Sequence, residues 1–524
     1  MTDATTLYRN GFIHSPAAPG ATALSVGADG RIAWLGPDEE APAADRTVDL
    51  DGCWLAPAFV DAHVHATDTG LVLSGLDLSG TASAAEVLSA VAGFAAGLPV
   101  SATVLGHGWD ESTWPAGGRV PPSAAELDRA AGGRRVYLSQ ASVHSALVSG
   151  ALLAAVAADV PGWSGSGWVR REAHHVARAA AFGGLSAADR GRAQRVMLAR
   201  AAALGVAAVH ECAGPQISSE GDLTALLALS GAGLPEVYGY WGELGGARRA
   251  RELGAVGAAG DLFADGALGS GTAWLSEPYR DGGCGHGYLT AEQVGVHVVE
   301  CVEVGVQAGF HAIGDAAIGA VLAGFRWAAD RVGLARVRAG AHRMEHVEVL
   351  DRSLVAGLVE LGVTASVQPV FDAWWGGSER MYAQRLGVER ALATNPLRSL
   401  HSVGVGLAFG SDAPVTPVDP WGAVAAAVGH HCVPQRLSVR SAFAAHTRGG
   451  WRALGPVADP AARSVREREG VLAPGAPATF AVWRVSGGFV AGFPVVGAGV
   501  PAPVCVRTVL RGAVIHGGGH SSVG

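Results

Sequence analysis

A chain of 524 residues, 49% apolar and 16% charged, is longer than one simple domain and is composed to bury a large core. Its 76 glycines form no repeat or low-complexity block, and its net charge of −8 comes without a basic cluster. These features exclude a disordered or fibrous chain and leave no electrostatic footprint for nucleic acid, so the expected partner is a small molecule.

The opening MTDATTLYRN has neither a basic n-region nor an apolar h-region, so no secretory signal and a cytoplasmic location are expected. Residues 1–56 hold short strand-like runs divided by turn signals, such as LYRNGFIH and ALSVGADGRIAWLG, which predict a small β-sandwich. Its partner strands are expected at 478–483 and 506–518, making a composite domain of 1–56 and 465–524. Residues 57–464 alternate apolar strands with helical stretches, the pattern of an α/β fold with a parallel sheet, here a (β/α)8 TIM-like barrel. The eight candidate strands are 57–63, 206–211, 235–240, 261–265, 307–311, 342–346, 363–368 and 405–410. The first gap is too long for one crossover, so 66–185 is expected to be an insertion between barrel strands 1 and 2, of the kind that covers a site. Two uncharged stretches, 87–106 and 485–506, fail as membrane spans because glycines and prolines interrupt both.

Six cysteines are scattered without a C-x-x-C pair, which predicts reduced thiols. No lysine occurs, so all 38 basic residues are arginine, which excludes a Schiff base and a carboxylated lysine.

The first barrel strand runs into "DAHVH", where His63 and His65, two apart, share one face. Neutral imidazole is the commonest metal ligand, and further ligands appear at the ends of other strands. The apolar run of "VQAGFHAIGD" ends at His311, "HRMEHVE" carries His342 and His346, and the apolar run of "LAFGSDAP" leads to Asp412. Because barrel enzymes gather their chemistry at the C-terminal end of the strands, His63, His65, His311, His346 and Asp412 are expected to converge on a metal. His342 lies at the other end of its strand and is expected in the core, and Asp315 is expected to cap a helix. Glu211, in "GVAAVHECAG", is read as a further ligand or as a strand-end acid.

With these residues in hand, the sequence resembles the amidohydrolase superfamily, in the branch that includes N-substituted formamide deformylase. The resemblance rests on "PAFVDAHVH", "LFADGALGS", "HAIGDAAI", "HRMEHVE", "NPLRSL" and "FGSDAPVTPVDP" and spans nearly the whole chain. It implies His63, His65, His311, His346 and Asp412 as metal-site residues, Asp412 as the proton shuttle and a flanking terminal sandwich. The chain departs from that pattern at Asp261, where many relatives carry lysine, and at Gly271 and Ala316, where they carry arginines. Asp261 is read either as a carboxylate ligand or as an interior residue, sharing a strand face with Asp265.

The expected activity is hydrolysis of a non-peptide C–N bond, an amide of the N-formyl or N-acyl amine type, by water activated on a divalent metal, with zinc the first choice. Asp412 accepts and returns the proton, and His346 binds the metal or stabilises the oxyanion. One ion is expected, with a second offered by Asp261 or Glu211. The alternatives are deamination of a cyclic amidine or nucleobase-like substrate and a non-catalytic metal- or ligand-binding barrel. For the substrate pocket, Trp109, Trp114 and His144 in the insertion and Phe371, Trp374 and Trp375 after the seventh strand are the candidates. The sequence leaves a homo-oligomer open.

Overall fold

The computed structural model describes residues 4–115, 117–141, 145–455 and 460–517. Eight parallel strands follow one another across a single sheet: β1 (Phe59–Val64), β2 (Val206–Ala213), β3 (Glu236–Trp241), β4 (Gly257–Ala258), β5 (Gln307–Ala312), β6 (Arg343–His346), β7 (Thr364–Val367) and β8 (Leu407–Phe409). The two ends of that sheet meet just beyond β8. Val64 bridges Ala413, the Asp412 N–H donates to the His63 carbonyl at 2.8 Å, and the His65 N–H donates to Ala413 at 2.9 Å. The result is a TIM-like barrel whose strands are near-continuous apolar runs, as burial on both faces requires.

Seven strands fall within two residues of the ranges read from sequence. The fourth does not. The run at 261–265 was expected to be the strand, but β4 is only Gly257–Ala258, and Gly260 turns the chain with φ 83° before Asp261. The apolar residues of LFA then form a second short contact with β5, in which the Ala264 N–H donates to the His311 carbonyl and the His311 N–H to Leu262. Asp261 therefore stands in the break between the two pieces, not on a regular strand, so its spacing from Asp265 does not follow from alternation.

Helices return the chain between strands. Ala291–Val304, before β5, starts in a capping box in which the Thr290 hydroxyl accepts from the Gln293 N–H. Asp315–Val332 follows β5, Arg352–Leu361 follows β6, and Pro369–Trp375 follows β7. Asp315 is the first residue of its helix and not the cap, which is Gly314. Among the described residues no helix is long and apolar enough to cross a membrane.

At the N-terminal end of the barrel the two ends of the chain build flanking sheets. A four-stranded sheet joins Ile32–Gly36, Ala23–Val26, Thr6–Arg9 and Arg46–Asp49. A five-stranded sheet runs Phe12–Ile13, Trp54–Pro57, Phe480–Arg484, Val504–Leu510 and Ala513–His516, with Trp54–Pro57 pairing antiparallel to Phe480–Arg484. Leu24, Val26, Ile32, Leu55, Phe480 and Val509 belong to one core between them. Phe59, at the start of β1, packs edge-on against Trp421, Phe443 and Trp483, which fastens these sheets to the barrel.

Residues Ala66–Met197 form a separate compact unit. Its five strands are Leu76–Asp77, Val104–Trp109, Val136–Gln140, Ser145–Val148 and Trp168–Arg170, and its core includes Leu78, Val87, Leu127, Leu138 and Leu147.

A partly buried charge cluster links the C-terminal sheet to the foot of β3. Arg511 donates two hydrogen bonds to Glu236 and pairs with Glu469 at 2.7 Å. Burial outweighs Arg511 and pushes the Glu469 carboxyl up from its ordinary 4.5 to about 6. A carboxyl raised on folding adds stability below its unfolded pKa and loses it as pH rises through the folded one. Glu469→Gln should therefore flatten the fall in stability between pH 4.5 and pH 7 by about 2 kcal/mol relative to wild type. Denaturant midpoints of the two proteins across that range check this.

Candidate metal centre

His63 and His65 leave the end of β1, His311 the end of β5 and His346 the last position of β6, while Asp412 follows β8 and Asp261 follows β4. All six are buried. Their donor atoms fall into two overlapping groups, His63, His65, Asp261 and Asp412 in one and Asp261, His311 and His346 in the other. In the first group His65 Nε2 lies 3.1 Å from Asp412 Oδ1 and 3.2 Å from Asp261 Oδ2, while His63 Nε2 lies 3.4 Å from Asp412 Oδ1 and 3.5 Å from Asp261 Oδ1. In the second, Asp261 Oδ1 is 3.6 Å from His311 Nδ1 and 3.7 Å from His346 Nε2.

These spacings test whether a cation fits. Tetrahedral ligands at zinc distances stand about 3.3 Å apart, which is the spacing of the first group. Three donors where the two groups overlap, His63 Nε2, His311 Nδ1 and Asp261 Oδ1, are buried without a hydrogen-bond partner, although the carboxylate oxygen lies beside both rings. Buried polar atoms left in that state are costly unless something else satisfies them, and a cation at their common focus would. The residues fit two divalent ions sharing Asp261.

Electrostatics supports the same grouping. Burial opposes charge on His65, yet the Asp261 and Asp412 carboxylates outweigh it and hold the imidazole well above its ordinary range. Burial likewise pushes the two carboxyls up, and the surrounding imidazoles, His63 foremost, more than reverse it and hold both below the usual range. Protons and cations compete for these lone pairs, so metal affinity here rises with pH.

Three of the four rings are held from behind, and His65 Nδ1 is buried without a hydrogen-bond partner. His63 Nδ1 hydrogen-bonds Glu345 Oε2 at 2.9 Å, His346 Nδ1 bonds Gln368 Oε1 at 2.8 Å, and His311 Nε2 bonds the Gly266 carbonyl at 3.2 Å. The loop carrying that carbonyl is anchored by Asp265, whose carboxylate accepts the N–H groups of Ile313, Gly314 and Trp274. Asp61 accepts from the N–H groups of Ser411 and His63 and so ties β1 to the segment after β8. Burial pushes its carboxyl up to about 6 against those hydrogen bonds. Alternation alone would turn His346 toward the helices, because Arg343 and Glu345 take the interior face of β6. A left-handed backbone at His346 (φ 72°) and Val347 (φ 53°) swings the ring back to the mouth, and Asp412 is held at φ 54° beside it. Such strain in non-glycine residues persists where the surroundings over-determine it, and it clusters at functional sites.

Several expected site residues stand elsewhere. Glu211 is not in either donor group; alternation puts it on the face of β2 opposite His210 and Cys212, and it is Cys212 that lies beside His63 and Glu345. Trp109 is a core residue of the inserted unit, fully buried, with its indole N–H on the Leu138 carbonyl, so it has no face left for a substrate. Trp114 is buried in the same core, and His144 lies outside the described residues. Phe371 does reach the centre, stacking nearly parallel on His346 with centroids 6.0 Å apart, and Trp375 packs on Phe371. Trp374, on the same helix, lines a different cavity of about 370 Å³ with Val370, Pro417 and His431, which contains none of the donor residues. His342 is a core residue whose Nδ1 accepts from the Ala308 N–H. Sequence reasoning missed Glu345, Gln368 and Asp61, although the first sits within the quoted HRMEHVE.

Comparisons agree with this geometry. A family model described as the amidohydrolase family matches residues 46–516. The putative amidohydrolase YtcJ of Bacillus subtilis is 27% identical over 409 residues, covering 71% of this chain and 73% of its own. Protein LONG AFTER FAR-RED 3 of Arabidopsis thaliana is 26% identical over 464 residues, covering 78% of this chain and 75% of its own. A solved structure of an uncharacterized metal-dependent hydrolase from Pyrococcus furiosus superposes with a TM-score of 0.74 at 26% identity, over 91% of this chain and 98% of that one.

Because both donor groups need Asp261, Asp261→Ala should lower retained divalent metal from about two ions per chain to one or none without unfolding the barrel. Elemental analysis of desalted protein, beside a thermal melt, checks it.

Proposed function

The chain belongs to the amidohydrolase family and is a hydrolase acting on carbon–nitrogen bonds other than peptide bonds, and we propose that it cleaves small-molecule amides of the N-formyl or N-acyl amine class, with zinc as the resident ion. The observation that carries this reading is the shared carboxylate of Asp261 between two sets of imidazoles, with Asp412 Oδ1 against both His63 and His65. With no lysine in the chain, Asp261 would supply to two ions the shared carboxylate that a carboxylated lysine supplies in some hydrolases. A divalent ion held here supplies a Lewis acid that acidifies water and polarises the scissile carbonyl.

The chain's own groups do the rest. Asp412, kept ionised by His63, His65 and His346, takes a proton from the attacking water at its carboxylate and returns it to the departing nitrogen. Its N–H, bound to the His63 carbonyl, fixes that carboxylate relative to the first pair of ligands. His346 contributes Nε2, with its proton kept on Nδ1 by Gln368. Phe371 beside His346 supports an apolar or aromatic group next to the scissile bond. Gly271 and Ala316 offer no charge to an anionic substrate, which favours an uncharged one. The six cysteines are free among the described residues and suit a reducing, cytoplasmic setting.

Zinc-reconstituted protein offered a panel of N-formyl and N-acyl amines should release the amine, and a chelator should abolish the reaction. Release of ammonia from cyclic amidines, with the amides untouched, would assign deamination instead. Asp412→Asn, reloaded with metal, should lose at least about a hundredfold in kcat with little change in KM. Full turnover in that variant would move the proton-transfer role to another group.

A further inference from the structure

Behind His63, on the side away from the donor groups, the barrel holds a buried ion pair whose place in the reaction follows from neither the family nor the ligand set. Arg343 and Glu345 both have fully buried side chains. Arg343 reaches four other strands: Nη2 donates to the Ala62 carbonyl at 2.6 Å and to Ser366 Oγ at 2.9 Å, Nη1 donates to His210 Nδ1 at 3.0 Å, and the guanidinium lies 4.4 Å over the Tyr240 ring. It also donates from Nη2 to Glu345 Oε2 at 2.9 Å. Room for its stem comes from Gly309 on β5, where an added Cβ would stand 2.8 Å from Arg343 Cγ. Glu345 Oε2 is the atom that meets His63 Nδ1.

We infer that Glu345, fixed by Arg343, is a positioning residue that sets the tautomer, orientation and donor strength of His63, and through it the affinity of the centre for its metal. The inference rests on the reading of the site as a metal centre. A carboxylate only accepts, so the proton of neutral His63 sits on Nδ1 and the Nε2 lone pair faces Asp261 and Asp412. Among the metal-site histidines the backing differs: His346 has a neutral amide, His311 a backbone carbonyl and His65 no hydrogen-bond partner, while His63 has a carboxylate that belongs to neither group sharing Asp261. A carboxylate behind a ligand imidazole raises its basicity and fixes its plane, and loss of such a partner costs about ten- to a hundredfold in metal affinity. A pair kept only for stability would not need its oxygen on a ligand, because well-packed apolar residues replace buried ion pairs at little cost.

The test compares two variants that both remove the charge pair, so that no buried charge is left alone. Arg343→Met/Glu345→Gln keeps an acceptor for His63 Nδ1, and Arg343→Met/Glu345→Leu removes it. Cobalt(II) is the probe, with affinity read by competition against a chelating dye and ligand geometry read from the visible d–d bands. Wild type should bind most tightly, the glutamine variant less, and the leucine variant about ten- to a hundredfold more weakly than wild type, with shifted bands. Equal affinity and identical bands in the two variants, with wild type binding cobalt, would overturn the role of Glu345 and leave the metal centre standing. Failure of wild type itself to bind cobalt or zinc would overturn the metal centre and this inference with it. If thermal melts show that the leucine variant does not fold, wild type against the glutamine variant decides, and equal affinity there overturns the role.

Discussion

Two carboxylates, Asp261 and Asp412, are buried among four imidazoles, and their removal from water sets the terms for the surrounding structure. An isolated carboxylate in such a place costs several kcal/mol, so each must be met by partners delivered with good geometry. Those partners come from β1, β5 and β6, which touch one another at this end only if the barrel is closed. Closure is achieved where β1 meets the segment after β8, through Asp412 itself and through Asp61. Chemistry and closure therefore use the same residues. Left-handed backbone at His346 and Asp412 is the accompanying strain, offset by the hydrogen bonds and packing around both.

The barrel and most residues of the two donor groups were legible in the sequence for a simple reason. Strands buried on both faces read as apolar runs, and a histidine or aspartate at the end of such a run is conspicuous. The fourth strand was misread because LFA has the composition of a strand while Gly260 places the break before it, and side-chain composition carries no sign of that backbone turn. Asp261 was recognised as a departure from its relatives, but its bridging position between two donor groups depends on that break and was not readable. Glu345 was invisible because a polar residue inside a strand looks the same whether it faces a histidine ring or the helices, and Gln368 because it stands just past the end of β7, at the cap of the following helix. Trp109 failed in the opposite direction: an aromatic residue in an insertion can equally well be core, and here it is.

Function is divided between the two ends of the barrel. The mouth carries strained backbone, titratable groups and loops such as that anchored by Asp265. The foot carries the aromatic cluster of Phe59, Trp421, Phe443 and Trp483 and the Arg511 clamp, which bear on stability. Between them the Arg343 hub joins β6 to β1, β2, β3 and β7 and meets the His63 ring through Glu345.

The pairing of Trp54–Pro57 with Phe480–Arg484 also fixes an order of events during synthesis. The strand that pairs with Trp54–Pro57 begins to leave the ribosome 423 residues after Pro57, the difference between positions 480 and 57. At roughly 5 to 20 residues per second, that is a wait of about 20 to 85 s. Through that interval the apolar face that will become the sandwich core is without its partner strands, and Asp412 is made well after the first histidine pair but before Phe480. The first strands therefore wait for partners made hundreds of residues later, and the donor groups are complete only once Asp412 has been made.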